Sequence, residues 1–535
     1  MTKPRMMFFH DGRHPHIYMY EPPMQKEEYA AAIDELSGTT IDAVMFCLGE
    51  GRTMLHDTQV GELWGHNVDK WPHLIWRRTY QNAKGLIEEG NDPLRIVCDR
   101  AHEKGMLLYP TLLVQVGSDE RWGDRATWVR CSDFRFENKH LEIQVKGGVN
   151  SSFPGFDGLD FMHDEVREER FAIVEEVVTN YPVDGFELHM GQLPYYFHPD
   201  EVDAGRPVLT EWIGRVYDAV HRSGPNRELA VRVPANLDEC MAVGMDVRGW
   251  IDDGIVDVII GDGAVGDTMN QLADFRGLVE AAKGTDCRVH ASLQHRVDSD
   301  RVGDATIEMI RAAAGNYWAQ GIEGIYISRG WFYNYPYDAT FYEKIREIPQ
   351  PDVMAPKDKY YRVPTLGDGP KPESGPGSVM QLPATLEVGT PTSIDFIIND
   401  DLPRWDAVGR VYEVLLRVRI TDTTELDRIT FALNGKALPD SSLRIINQMF
   451  WMNGPRRTAQ GYWFVYTLDR DSWPRQGANT LQITLLERDP DVTPPVVVQD
   501  VELETKYLMG KNFRRGYEDP ALGQFEGRMG GNWYA

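Results

Sequence analysis

Two carboxyl side chains in this sequence stand where chemistry could use them. Glu187 lies in Val183-Asp184-Gly185-Phe186-Glu187-Leu188-His189, and Asp262 lies in Ile259-Ile260-Gly261-Asp262-Gly263. Side chains alternate faces along a strand, so Glu187 and His189 share the face opposite Phe186 and Leu188. A carboxyl facing a barrel interior is costly unless it is solvated, paired or used. Two opposed carboxyls are what glycosidic cleavage requires: one protonates the leaving oxygen, and the other attacks the anomeric carbon or activates water. The competing readings are structural, with Glu187 bonded to an arginine such as Arg232 and Asp262 serving as a turn residue.

Other polar residues end similar apolar runs. They are His10, Asp11, Glu50, Gln115, Arg232, Asn236, His290, Gln294 and Arg329, with His189 beside Glu187. Aromatic residues crowd the segments that follow, including Trp64, Trp71, Trp122, Trp331 and Tyr333. Exposed aromatic faces stack on sugar rings, so Trp64, Trp331 and Tyr333 join the polar set as candidate substrate contacts. The histidines suit zinc or manganese, but no HxH or HExxH spacing is present, and no metal or other cofactor is expected. A GxSxG elbow and a GxGxxG phosphate loop are both absent.

The elements that must position these residues follow one theme over the first ~346 residues: a short apolar run, then a helical stretch. The strand-like runs are Met6 to His10, Ala43 to Leu48, Met106 to Val114, Gly185 to Met190, Leu229 to Val233, Val256 to Ile260, Arg288 to Leu293 and Gly324 to Ser328. Eight such units predict a (β/α)₈ TIM barrel, whose active site sits at the C-terminal strand ends. The Pro- and Gly-rich residues 349–378 read as a linker, and residues 379–506 carry alternating runs with turns such as Asn434-Gly435. That pattern predicts an antiparallel β-sandwich, leaving 507–535 as a tail.

Composition narrows the partners. The chain has 535 residues and a formal net charge of −26, so it repels phosphate backbones and anionic membranes. Its five cysteines are scattered, without a CxxC pair, which argues against a disulfide framework or thiolate zinc. The apolar run near the start is too short for a signal-peptide core, so a cytoplasmic location is expected, or a periplasmic or secreted one if a leader has been removed. A homo-oligomer is compatible with all of this.

The stretch Asp160 to Phe197 resembles the family-10-like glycosyl hydrolases, bacterial barrel proteins with an Arg-containing helix, a Y-x-VDGIELDF motif and an aromatic-rich loop. Residues Gly244 to Gly263, His10 to Pro23 and Gly321 to Ile327 are similar as well, so the resemblance covers most of 1–346. It implies a (β/α)₈ fold, carbohydrate hydrolysis and a match of Glu187 to the motif glutamate. Many relatives carry an acid where this chain has His189, which puts mechanism or substrate in question.

The sequence therefore predicts a glycoside hydrolase. It consists of a barrel at 1–348 and a sandwich at 379–506, and it acts on an oligo- or polysaccharide through Glu187 and Asp262 with retention. Two alternatives stand beside it: a metal-dependent sugar isomerase, epimerase or hydrolase using the histidines, and a carbohydrate-binding barrel without turnover.

Overall fold

The structure, a computed structural model, describes residues 3–13, 16–117, 132–264, 268–297, 303–328, 330–331, 335–365, 380–448 and 461–510. These divide into two compact units. The first draws on residues 1–298 and 317–349, the second on 299–316, 350–369 and the residues from 380 onward.

The first unit is a closed parallel barrel. Its strands are β1 (Met6–His10), β2 (Ala43–Cys47), β3 (Leu107–Leu113), β4 (Gly185–His189), β5 (Glu228–Pro234), β6 (Val258–Asp262), β7 (Arg288–Leu293) and β8 (Gly324–Ile327). Each pairs with its neighbours in chain order, and β8 closes on β1 through Met6↔Ile325 and Phe8↔Ile327. Strands covered on both faces need apolar side chains all along, which is why MMFFH and AVMFC are buried at every position.

Carboxylates at the strand starts pin this register. The residue just before each even-numbered strand is acidic, and its side chain accepts a backbone N–H at the start of the preceding odd strand. Asp42 accepts from Met6 (2.8 Å), Asp184 from Leu108 (2.9 Å), Asp257 from Leu229 (2.7 Å) and Glu323 from Val289 (3.3 Å). His102 and His221 contact Asp184 and Asp257 at 2.8 and 2.9 Å.

The second unit is the antiparallel sandwich. One sheet runs β9 (Lys359–Arg362), β16 (Val497–Tyr507), β11 (Val411–Thr421), β14 (Tyr462–Thr467) and β13 (Leu443–Asn447), with Ala384–Thr385 also paired to β16. The other runs β10 (Pro391–Ile398), β15 (Gly477–Glu487), β12 (Arg428–Leu433) and Lys436–Ala437. Alternation supplies the core: Leu481, Ile483 and Leu485 are buried while Gln482 and Leu486 face out. The Asn434-Gly435 turn takes positive φ at both residues (51° and 80°), the conformation that Asn-Gly favours.

The stretch 349–378 is more than a linker. It holds a short helix, Pro351–Met354, and the edge strand β9. The strand KYYR escapes a hydrophobicity reading because two of its four residues are basic, yet Lys359 and Arg362 are buried against Asp400 (2.7 Å) and Asp500 (2.9 Å). Of the tail, residues 511–535 lie outside the described residues. Among the described residues no helix is long and apolar enough to cross a membrane.

Candidate active site

At the C-terminal ends of β4 to β8, inward side chains form a polar cluster around one guanidinium. Arg232 of β5 is 2% exposed. Its Nε and Nη2 donate to Asp262 Oδ2 at 3.1 and 2.5 Å, and Nη2 also donates to Ser328 Oγ at 2.6 Å and to Ser292 Oγ at 3.4 Å. Burial opposes its charge, but Asp262, Tyr326 and Glu187 outweigh that cost and hold its pKa above the usual value. Asp262 is the more open member, with its side chain 18% exposed, and its other oxygen accepts from Ala264 N at 3.2 Å.

Glu187 lies beneath. It has no exposed surface, and its register partner Ala230 stands two residues before Arg232. The Tyr326 hydroxyl is 2.9 and 3.0 Å from its two oxygens, and Thr111 Oγ1 donates to Oε2. Burial pushes its pKa up, against the opposing pull of Arg232, Thr111 and Tyr326. Tyr326 links the two levels, because the Arg232 guanidinium carbon sits 5.0 Å from its ring centroid. The ion pair of Arg232 is therefore with Asp262, not with Glu187.

A second buried group joins the ends of β1 and β2. Arg13 Nη1 donates to Glu50 Oε1 at 2.7 Å, and Nη2 lies 3.4 Å from Asp11 Oδ2. His10 belongs to neither group. It points away from the barrel interior and stacks on Phe46 at 5.1 Å, with Nδ1 accepting from Gly12 N.

The remaining predicted contacts divide. Asp262 pairs with Arg232, and His189 is buried beside Phe9 with ring centroids 6.4 Å apart. Gln115 is consumed by the backbone: its Nε2 donates to Leu159 O and Tyr195 O, and its Oε1 accepts from Leu159 N. Asn236 caps the helix Leu237–Ala242. Gln294 is buried, and His295 Nε2 lies 3.1 Å from Lys344 Nζ.

His290 sits deep, its ring against the α-carbon of Gly324, where any added β-carbon would come within 2.5 Å of the imidazole. Burial, aided by Arg288, lowers its pKa to about 3. Among the described residues, the strand-end histidines form no three-ligand group. The residues that assemble a potential metal set are elsewhere.

Trp64 and Trp331 are corrections. The first is 1% exposed and the second 0%, with the Trp331 Nε1 donating to Leu293 O at 3.0 Å and its ring edge-on to His295. A ring walled in on both faces offers no platform to a sugar, so these two are core of the loops. Among the described residues, the partly exposed aromatics of the strand-end segments include Trp71, Trp76 and Tyr80 after β2, the first and last 5.4 Å apart, and Tyr195 and Tyr335 after β4 and β8. Arg329, Tyr333 and Trp122 lie outside the described residues.

Sequence reasoning missed Thr111, Tyr326 and Arg13. Alternation was the available signal for the first two: Tyr326 shares a face with Gly324 and Ser328, and Thr111 shares one with Tyr109 and Leu113.

No protein-family model matches the chain, and no curated protein does. Among solved structures, it is similar to a cycloisomaltooligosaccharide glucanotransferase from Paenibacillus sp. (12% identity, 93% of this chain and 57% of that one, TM-score 0.36). It is similar also to α-L-fucosidase isoenzyme 2 from Paenibacillus thiaminolyticus (12%, 68% and 52%, 0.41) and to the endo-β-1,4-mannanase from Thermotoga petrophila (11%, 94% and 98%, 0.44). The chain spans little more than half the length of the first two. At that level of similarity, the chemistry has to be read from the site.

Proposed function

We propose that this chain hydrolyses O-glycosidic bonds of an oligo- or polysaccharide at the barrel mouth, with Glu187 as general acid/base and Asp262 as nucleophile, and with retention of anomeric configuration. One observation carries the reading. Two carboxyl groups on β4 and β6 flank a single buried guanidinium in unlike surroundings: Glu187 is fully buried, which pushes its pKa up, while Asp262 keeps some exposure and takes the ion pair with Arg232. Two carboxyls in unlike environments are what divides the roles in acid-assisted glycosidic cleavage. The resemblance of Asp160 to Phe197 to family-10-like glycosyl hydrolases supports the same reading.

The alternative of a sugar-binding barrel without turnover has its own observation: Glu187 has no exposed surface, and both its oxygens are occupied by Tyr326 and Thr111.

A screen of aryl glycosides and plant or algal polysaccharides decides between them. Hydrolysis requires that Glu187→Gln and Asp262→Asn each lower turnover by about two to four orders of magnitude with the fold intact. Proton NMR of the first-formed product reads the anomer. Sugar binding without turnover by the unmodified chain would establish the second reading instead.

A further inference from the structure

Away from the Arg232 cluster, three ligand-type side chains meet between the segments that follow β2 and β3. Glu62 lies on the short strand Glu62–Leu63, His66 lies four residues on, and Asp133 is the first residue of the helix Asp133–Glu137. We propose that Glu62 Oε2, His66 Nε2 and Asp133 Oδ2 bind a divalent first-row transition-metal ion, with Zn²⁺ the tightest-binding probe.

The separations fit. His66 Nε2 is 3.1 Å from Asp133 Oδ2 and 3.7 Å from Glu62 Oε2, and all three atoms lie within 4.8 Å of one another. A cation about 2.0–2.2 Å from nitrogen and oxygen ligands spaces neighbouring ligands by about 3–3.6 Å, so small adjustments seat it.

The imidazole orientation is an independent argument. His66 Nδ1 is 2.9 Å from the Leu63 carbonyl oxygen, which can only accept, so Nδ1 carries the hydrogen. In the neutral ring that leaves the Nε2 lone pair directed at two carboxylate oxygens. Glu62 Oε2 also accepts the Asp133 backbone N–H at 2.7 Å, which fixes it beside the ring, and a cation would use the remaining lone pairs of the two carboxylates together with that of Nε2. The ligand-orienting contacts typical of metal sites are also present. Asn67 Nδ2 holds the other oxygen of Asp133 at 3.1 Å, and Arg52 Nε holds the other oxygen of Glu62 at 3.0 Å. One imidazole with two carboxylates selects zinc, manganese or cobalt over calcium, which takes oxygen alone. Three protein ligands leave positions for water, and the bound ion would clip the segment after β2 to the one after β3.

The test uses the full chain, stripped with a chelator and titrated by calorimetry with Zn²⁺, then with Co²⁺ while visible absorption is read. The expected result is one Zn²⁺ per chain, a Co²⁺ d–d band, and a Zn²⁺-dependent rise in melting temperature. All three should be lost in His66→Ala and weakened at least tenfold in Asp133→Asn. His66 is 31% exposed, so its truncation leaves the fold in place, and circular dichroism of the metal-free variant verifies this. If His66→Ala does not fold, Asp133→Asn carries the comparison. Absence of Zn²⁺ binding by the unmodified chain, or equal binding by the unmodified chain and the variants, overturns the proposal and leaves the three side chains a structural contact between the two segments.

Discussion

His290 offers a measurement whose sign and size follow from its burial and from the neighbouring Arg288 charge. The ring lies inside the barrel on β7, packed on Gly324, and neither nitrogen has a hydrogen-bond partner among the described residues. Its pKa falls from 6.5 to about 3 because burial disfavours the imidazolium and Arg288 repels it. The sign follows from linkage. The unfolded chain takes up a proton below pH 6.5 while the folded one does not, so the contribution is full above 6.5 and is lost as pH falls toward 3. Between pH 7.5 and 4.5 this costs on the order of 2–3 kcal/mol, since each pH unit on the descending limb is worth roughly 1.4 kcal/mol. His290→Leu removes the titration. It also changes packing, but that cost is the same at every pH. Urea unfolding of both proteins at intervals across this range should show the variant gaining on the unmodified barrel by that amount at the acid end. Parallel stability curves would refute the reasoning and mean that a buried water or a moved side chain solvates the ring.

Trp331→Ala should destabilise the barrel by about 3–5 kcal/mol, as for other buried tryptophans, measured by chemical denaturation. Trp71→Ala should leave stability within about 0.5 kcal/mol and, if the half-exposed ring meets sugar, raise KM in the glycoside assay with little change in kcat. In the sandwich, Asp400 accepts from Lys359 Nζ, Tyr361 OH, Thr505 Oγ1 and Tyr507 OH at 2.6–2.9 Å. Asp400→Asn strands the buried Lys359 charge and should cost about 3–5 kcal/mol, read as a lowered melting transition of that unit.

The barrel was legible because parallel strands covered on both faces leave continuous apolar runs, and the windows chosen from sequence fall on β1 to β8 with ends shifted by at most two residues, as at Val258–Asp262. Pairing among charges was not legible. Arg232 faces inward between Glu187 on one neighbouring strand and Asp262 on the other, and alternation alone cannot say which it bonds; the register of β5 against β6, which sets Pro234 opposite Asp262, decides it. Burial of loop aromatics was equally hidden. The segment around Trp331 is rich in aromatic and polar residues whether the ring stacks on sugar or packs edge-to-face with His295 and Phe341. Glu62, His66 and Asp133 show no spacing signal at all, since His66 and Asp133 are 67 residues apart and only the fold unites them.

Polar residues inside a barrel are not by themselves evidence of function, and the floor of this one shows why. There, Arg288 Nη2 bonds Glu228 Oε2 at 2.5 Å, Tyr109 OH donates to the same oxygen at 2.9 Å, and Arg288 Nη1 donates to Pro4 O at 3.0 Å. That group ties β3, β5 and β7 to the segment before β1, which is a structural task, even though Arg288 Nε finds no hydrogen-bond partner among the described residues. The cluster at the mouth carries the same kind of unspent donor, at Arg232 Nη1, and its carboxylate is no more open: the Asp262 and Glu228 side chains are 18% and 16% exposed. Neither hydrogen-bond satisfaction nor exposure separates the two groups. Position does, because the loops that can admit a ligand to a (β/α)₈ barrel stand at the C-terminal strand ends, so the group around Arg232 and not the one around Arg288 is the place to look for substrate.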